Sequence, residues 1–558
     1  MSRLVLPASG LRFPAFSAAR NGRWDLVRGC ECVHQQPIDF WIDPGPWAVR
    51  RNSRSRDVAG RFGAVKTIWV LGDQLNRGLG PLRNADPATA RVLMVESSAK
   101  VASKSWHRQR AHLVVCAMRR FAAELVAEGF DVDYRSSPTL AGGLRAHRAE
   151  HSPSRVVAME PASFDGLALL RRSGVDVVRS DQFLCHYDEF AAWVADRRSA
   201  KMEDFYRWQR TRLGYLMDDG QPAGGRWNFD ADNRERPPKD GRAWPEPLRT
   251  PLDDLDRAVL ADLPASCWGS DPDGTWATSR SEALRRLHHV IEVVLPVFGP
   301  HEDAMLSTSW HLAHTLLSPY LNLGLLLPGE VCDSAEAAFR RGDVPIESAE
   351  GFIRQVIGWR EYVWGQYWQW MPEYRGANEL AAHRPLPPVF SGAPTQMRCV
   401  SHVIGDIDAH GYTHHIARLM ILGNLALLAG VDPWEMTDWM WSSFVDGAEW
   451  VMLPNVVGMA LYADGGRMAT KPYAAGGAYI DKMSDYCGPC AYDRRQRVGP
   501  DACPFTTLYW AFLDRHQERF GHNARVARQV HAGKRLGNLE EVRARADEVL
   551  AALDAGRL

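Results

Sequence analysis

The sequence predicts two architectures in one chain: a doubly wound parallel α/β domain near the N-terminus and a large all-α domain behind it. Three observations predict this. Short β-rich runs alternate with helical patterns between Lys66 and Val178, the signature of βαβ units and a parallel sheet. After Ser279 the apolar residues fall at helical spacing to the C-terminus; Phe352, Val356, Trp359, Val363, Tyr367 and Trp370 trace one face. Between the two lies a stretch rich in Asp, Pro, Gly and Arg, too long for an ordinary loop.

Residues 1–63 carry scattered arginines, among them Arg50, Arg51, Arg54 and Arg56, with Pro, Gly and Ser and no apolar period. They are expected to be a tail or a start of translation placed too early, since Val65 directly precedes the first convincing strand. Strands are expected at Lys66–Leu71, Arg91–Glu96, Asp131–Tyr134, Arg155–Met159 and Val175–Val178, with an amphipathic helix from Trp106 to Glu128. This defines an α/β domain over 64–195, with Gly72-Asp73-Gln74 at the carboxyl end of the first strand, where such sheets bind ligands. No Gly-x-Gly-x-x-Gly loop is found there, which argues against a dinucleotide at this place. An interdomain linker over 196–265 and a helical domain over 266–558 complete the division. The aromatics and arginines interleaved in the linker, as in Arg226-Trp227-Asn228-Phe229, point to an ordered role.

Composition narrows the function. Of 558 residues, 46% are hydrophobic and 24% charged, which excludes a disordered chain. The longest apolar stretches, Leu316–Leu327 and Leu419–Val431, fall short of the ~18–20 residues of a membrane span, so a cytoplasmic protein without a membrane partner is expected. Lys plus Arg (66) nearly cancel Asp plus Glu (67); nucleic-acid binding therefore needs a local basic patch. The 21 Trp outnumber the 19 Phe and the 15 Tyr, enough to fill a core or to supply stacking platforms and electron relays.

Ten cysteines in a reducing compartment direct attention to metal binding. Cys487-Gly-Pro-Cys490 is followed by Cys503-Pro504, with Cys399 upstream in the helical domain. Thiolates so spaced can close on one centre, either zinc or a [4Fe–4S] cluster. The Cys-Pro ending favours the cluster. Ser307-Thr308-Ser309 precedes an apolar run; hydroxyls at a helix start cap its amides, and the same groups can hold a phosphate. His414 and His415 are placed on a helix from about Thr413. Adjacent helical residues diverge by ~100°, so one imidazole would face a pocket as proton donor while the other orients it.

These residues, taken with Gly72-Asp73-Gln74-Leu75, Met202–Arg207, Gly224–Arg234, Ser309–Gly324, Gly358-Trp359-Arg360-Glu361, Arg418-Leu419-Met420 and Trp450–Asn455, resemble the iron–sulfur branch of the cryptochrome/photolyase family, the prokaryotic (6-4) photolyases. The resemblance runs from about Lys66 to the C-terminus. It implies an antenna domain, a linker and a helical domain holding FAD, with a monomer acting on UV-damaged DNA whose lesion base is flipped out. It implies that Ser307, Thr308 and Ser309 hold the FAD phosphates and that Arg360 pairs with Asp446 beside the isoalloxazine. Cys399, Cys487, Cys490 and Cys503 match the [4Fe–4S] ligands, and His414, His415 and Tyr473 match residues facing the lesion. The antenna, implied to be 6,7-dimethyl-8-ribityllumazine, would contact Asp73 and Glu96. Trp439 matches the aromatic relay that reduces the flavin, whereas Met440 and Ser391 stand where the family has further aromatics. The implied activity is light-driven repair of the (6-4) photoproduct. The alternatives are a light sensor without repair and a non-photochemical iron–sulfur nucleic-acid-binding module.

Overall fold

The computed structural model describes residues 65–558; the tail expected over 1–63 lies outside the described residues. Five strands, β1 Lys66–Val70, β2 Ala90–Ser97, β3 Asp131–Ser137, β4 Val156–Met159 and β5 Asp176–Val178, form one sheet in the order β3-β2-β1-β4-β5. Every neighbouring pair is parallel. The chain winds outward from β1 to β3 and returns to the other side of β1, so the strand order reverses between β1 and β4. In open parallel sheets that reversal opens a crevice at the carboxyl ends of the strands. Here it lies beside Gly72-Asp73.

Helices α1 Arg108–Ala127, α2 Leu140–His151 and α3 Phe164–Arg172 make the crossovers. Trp69, Leu93 and Val95 pack with Leu144 of α2 and Leu170 of α3. The alternate residues Ile68, Val70, Val92 and Met94 pack with Leu113, Ala117 and Phe121 of α1. Both faces are thus covered, which is why these strands read as continuous apolar runs instead of alternating ones.

The connector is ordered. It contains helix α4 Met202–Leu213, a short hairpin pairing Met217–Asp218 with Gln221–Pro222, and helix α5 Asp254–Asp262. Arg210 of α4 is fully buried and donates hydrogen bonds to the carbonyls of Tyr215, Leu216 and Trp227. A buried guanidinium is tolerable only with such partners.

The remainder is helical. Its principal elements here are α6 Ser318–Leu323, α7 Ile346–Ile353, α8 Glu361–Trp370, α9 Arg398–His410, α10 Pro433–Ser443 and α11 Pro504–Arg515. The apolar face expected over Phe352–Trp370 exists, but it is not regular α-helix. Residues Arg354–Arg360 form a π-helical segment joining α7 to α8, and others occur at Arg418–Gly423 and Pro454–Ala460. Such segments widen the helix and gather at functional sites, and a 3.6-residue period read from sequence cannot reveal them. Among the described residues no helix is long and apolar enough to cross a membrane.

Candidate functional site

The continuous helical run of which the Arg418–Gly423 segment is part begins at His415, with His414 as its N-cap in extended backbone (φ −74°, ψ 167°). The ~100° divergence expected for two helical neighbours therefore does not apply. Both imidazoles instead meet a third, His314. It stacks on His414 with ring centroids 4.4 Å apart and meets His415 edge-on at 5.4 Å. His314 lies within the Ser309–Gly324 segment, but nothing in its spacing singles it out as a site residue, because it sits in a loop and meets the other two rings only in the fold.

The three rings differ in charge. His414 is buried, and burial together with the charges of His415 and Arg418 drives its pKa well below the ordinary imidazole value. His314 is lowered in the same way by burial and by its two histidine neighbours. His415 is half exposed and lies 3.5 Å from Asp303. Against the cost of burial, its hydrogen bond to Asp303 and the charges of Glu302 and Asp303 raise its pKa. Two imidazoles whose pKa is lowered thus stand beside one whose pKa is raised. Tyr473 is half-buried and shares Asp303 as a charged neighbour; burial raises its pKa, with Arg234 opposing.

Behind the histidines lies a bidentate ion pair, and it corrects the pairing expected above. Asp446 bonds Arg418, with Nη1 at 2.9 Å and Nη2 at 3.2 Å, not Arg360. Ser318 donates to the same carboxylate at 2.7 Å, and the Asn322 amide donates to the Asp446 carbonyl at 2.8 Å. Arg418 also lies 3.9 Å over the Phe444 ring. Arg360 is bound to its neighbour Glu361 at 2.6 Å and lies 4.1 Å over Phe183. The reason is local: the π segment carries Arg360 towards Phe183, which is stacked on Trp364 at 3.7 Å and set edge-on to Trp450 at 5.2 Å. Phe183, Trp364 and Trp450 escape sequence reasoning because aromatic residues in a tryptophan-rich chain carry no distinguishing spacing.

Arg360 leaves Nε and Nη2 buried without a hydrogen-bond partner, and Arg110 leaves Nε so. Buried guanidinium hydrogens without acceptors are rare in finished folds, and they fit an anionic group such as a cofactor diphosphate. Ser307, Thr308 and Ser309 do not begin a helix. They form a turn in which the Ser307 amide and hydroxyl donate to Asp485 at 2.8 and 2.7 Å and the Ser309 hydroxyl accepts from the Leu312 amide at 2.9 Å. The left-handed backbone at Leu312 (φ 47°) and Leu316 (φ 54°) delays the helix to Ser318.

In the sheet crevice Asp73 is half-buried; desolvation raises its pKa, while the amides of Asp73 and Ala162 and the charge of Lys100 oppose. Glu96 is held elsewhere. Its carboxylate accepts from Arg119 at 3.0 and 3.1 Å and from the Tyr134 hydroxyl at 2.7 Å, and among the described residues no hydrogen bond joins it to Asp73.

The cysteines converge. Cys399, near the start of α9, Cys487, Cys490 and Cys503, the N-cap of α11, line one small pocket with Tyr486, Tyr492 and Phe505. Burial and the other three sulfurs raise the Cys399 pKa far above the free-thiol value. A methyl group at Gly477 would come within 3.0 Å of Cys503 Sγ, so glycine there keeps the cavity open.

Trp439 donates from its indole to the Phe390 carbonyl at 2.9 Å and lies 5.0 Å from the Phe390 ring and 6.1 Å from Phe444. Phe390 directly precedes Ser391, and Met440 is buried. Trp439→Phe is expected to slow photoreduction of oxidised flavin while leaving repair by chemically reduced protein intact, as followed by flavin absorbance under blue light. Unchanged photoreduction would move the relay to another aromatic, with Trp364 and Trp450 the first to test.

A sheet with a crevice at its strand reversal, joined to a helical body holding a deep ion pair and a cysteine cavity, defines a two-part, chromophore-binding class of protein. The chain belongs to the photolyase/cryptochrome family of flavoproteins. It is 39% identical over 507 residues to a (6-4) photolyase of Agrobacterium fabrum, covering 87% of this chain and 99% of that one. The profile of the family described as deoxyribodipyrimidine photo-lyase-related protein matches residues 68–269. The fold is similar to the crystal structure of a bacterial class III photolyase from Agrobacterium tumefaciens, with a TM-score of 0.54, 17% identity and coverage of 89% of this chain and 100% of that one.

Proposed function

We propose that this protein repairs pyrimidine (6-4) pyrimidone photoproducts in UV-damaged DNA with blue light. The observation that carries the reading is the trio of imidazoles, in which half-exposed His415 lies 3.5 Å from Asp303, which raises its pKa, while burial lowers those of His414 and His314. The similarity to a named (6-4) photolyase over nearly its whole length supports it.

FAD, when bound and reduced, supplies the light-driven electron. Arg360 and Arg110, with unpartnered guanidinium hydrogens, and the Arg418–Asp446 pair are the groups fitted to hold it; to these the family resemblance adds Ser307, Thr308 and Ser309. A damaged base leaves the duplex at lower cost than a paired one, and His415 and Tyr473 are the residues to meet it. His415 is the general acid, and His414, held against His314, orients the substrate side of the pocket. Cys399, Cys487, Cys490 and Cys503, which line one pocket, hold a [4Fe–4S] cluster, the choice over zinc resting on the Cys-Pro ending and the family resemblance. Asp73 in the sheet crevice is the candidate contact for a lumazine antenna. Glu96, committed to Arg119 and Tyr134, is the weaker candidate. The protein acts as a monomer.

The test is to illuminate reduced protein with an oligonucleotide carrying one (6-4) lesion and follow the restored dipyrimidine by chromatography. Restoration that requires light is expected. Tight lesion binding with no restoration would replace the proposal with a light sensor.

The pH dependence follows from the same cluster. Groups facing His415 are Asp303, Glu302, Arg418, His314 and His414. Asp303→Asn removes the hydrogen bond that raises the His415 pKa, so the imidazole loses its proton at lower pH. The alkaline limb of the repair-rate profile is expected to move to lower pH, with the acidic limb unchanged. An unmoved alkaline limb would separate Asp303 from the acid.

A further inference from the structure

Far from the histidines and the cysteine cavity, three metal-binding residue types meet where the connector crosses the α/β domain. His112 and Cys116 are four residues apart on α1 and so project from one face of it. Asp256 faces them from the first turn of α5, where it completes a capping box with Asp253. One ligand atom from each lies within 4.8 Å of the other two. All three are buried, His112 to 2%, Cys116 to 0% and Asp256 to 4% exposure.

His112 Nε2 and Asp256 Oδ1 face each other at 3.1 Å, a charge contact that helps hold the Asp256 pKa down although neither atom is aligned as a well-formed hydrogen bond requires. With the Cys116 sulfur they form one compact, buried set of three donor atoms. The other carboxylate oxygen is fixed separately, by Arg120 Nη2 at 3.0 Å and the Asp253 amide at 2.9 Å. That arrangement holds Oδ1 in place, the part outer partners play around metal ligands.

We propose that His112, Cys116 and Asp256 form a zinc site that fastens the connector to the α/β domain. One sulfur, one imidazole nitrogen and one carboxylate oxygen are a zinc donor set, and a fourth position is completed by a small ligand such as water. Burial, and then the Asp256 charge, push the Cys116 thiol up. Binding therefore displaces the thiol proton to solvent, and the thiolate and carboxylate together neutralise the divalent ion. A neutral buried centre avoids the cost of an isolated charge.

The experiment is metal analysis of the full-length, flavin-loaded protein grown in zinc-supplemented medium, with iron counted beside zinc. About one zinc per chain is expected in the wild type, falling below about a tenth in Cys116→Ala and His112→Gln at unchanged iron and flavin. Zinc below about a tenth per chain in the wild type overturns the proposal, as does zinc that survives both substitutions. Should either variant fail to fold, zinc-edge X-ray absorption of the wild type decides. A first shell of one sulfur with nitrogen and oxygen supports the site, and a shell of four sulfurs places the zinc in the cysteine cavity and overturns it.

Discussion

His415→Ala is expected to retain flavin, iron and binding to lesion-containing DNA while losing repair by about 10²–10⁴-fold, the usual cost of removing a general acid. His415 is chosen over His414 on charge. Asp303 and Glu302 raise the pKa of its imidazole, whereas burial lowers that of His414. His414→Ala is expected to lose less, because it removes a neutral ring that positions others, and His314→Ala should resemble it. Lesion binding by gel shift and repair in single-turnover illumination separate the two effects. Wild-type repair rates in both the His415 and His414 variants would remove the histidines from the chemistry altogether.

The second large effect is expected at the cysteine cavity. Iron and acid-labile sulfide should each be found near ~4 per chain, and Cys503→Ser should abolish both. The loss extends beyond the metal, because Cys503 caps α11 while Cys399 opens α9, so one centre ties together elements about a hundred residues apart in sequence. Metal-binding free energy is then folding free energy, and the variant is expected to melt at a markedly lower temperature than wild type. Zinc in place of iron in the wild-type cavity would overturn the cluster.

The strands were legible because two-sided burial leaves unbroken apolar stretches such as Ile68–Val70 and Val92–Val95 inside them. The cysteine centre was legible because a Cys-x-x-Cys turn is visible at any distance from its partners. The partner of Asp446 was not. Arg360 and Arg418 both sit in helical sequence beside aromatics, and only the π-helical segments decide which one reaches the carboxylate. Ser307–Ser309 misled for a related reason: hydroxyls before an apolar run signal a helix start, but the left-handed residues Leu312 and Leu316 turn the chain first. Asp303 and His314 lay hidden because their importance is a matter of company. Asp303 belongs to no motif, His314 sits without distinction inside Ser309–Gly324, and each matters only through the histidines that folding brings beside it.

Helix α9 carries Cys399 in its first turn and, through Gly411, Tyr412 and Thr413, delivers His414 and His415 at its far end. At ~1.5 Å per residue its thirteen residues span roughly 20 Å. On the proposed assignments it is therefore a rigid rod between the cysteine centre and the point of proton delivery. Inserting one residue within it would turn the histidines by about 100° and advance them by about 1.5 Å relative to the anchored end, enough to break the stack on His314. The length of this helix should thus be a counted quantity, intolerant of insertion or deletion even where its individual surface residues are free to vary.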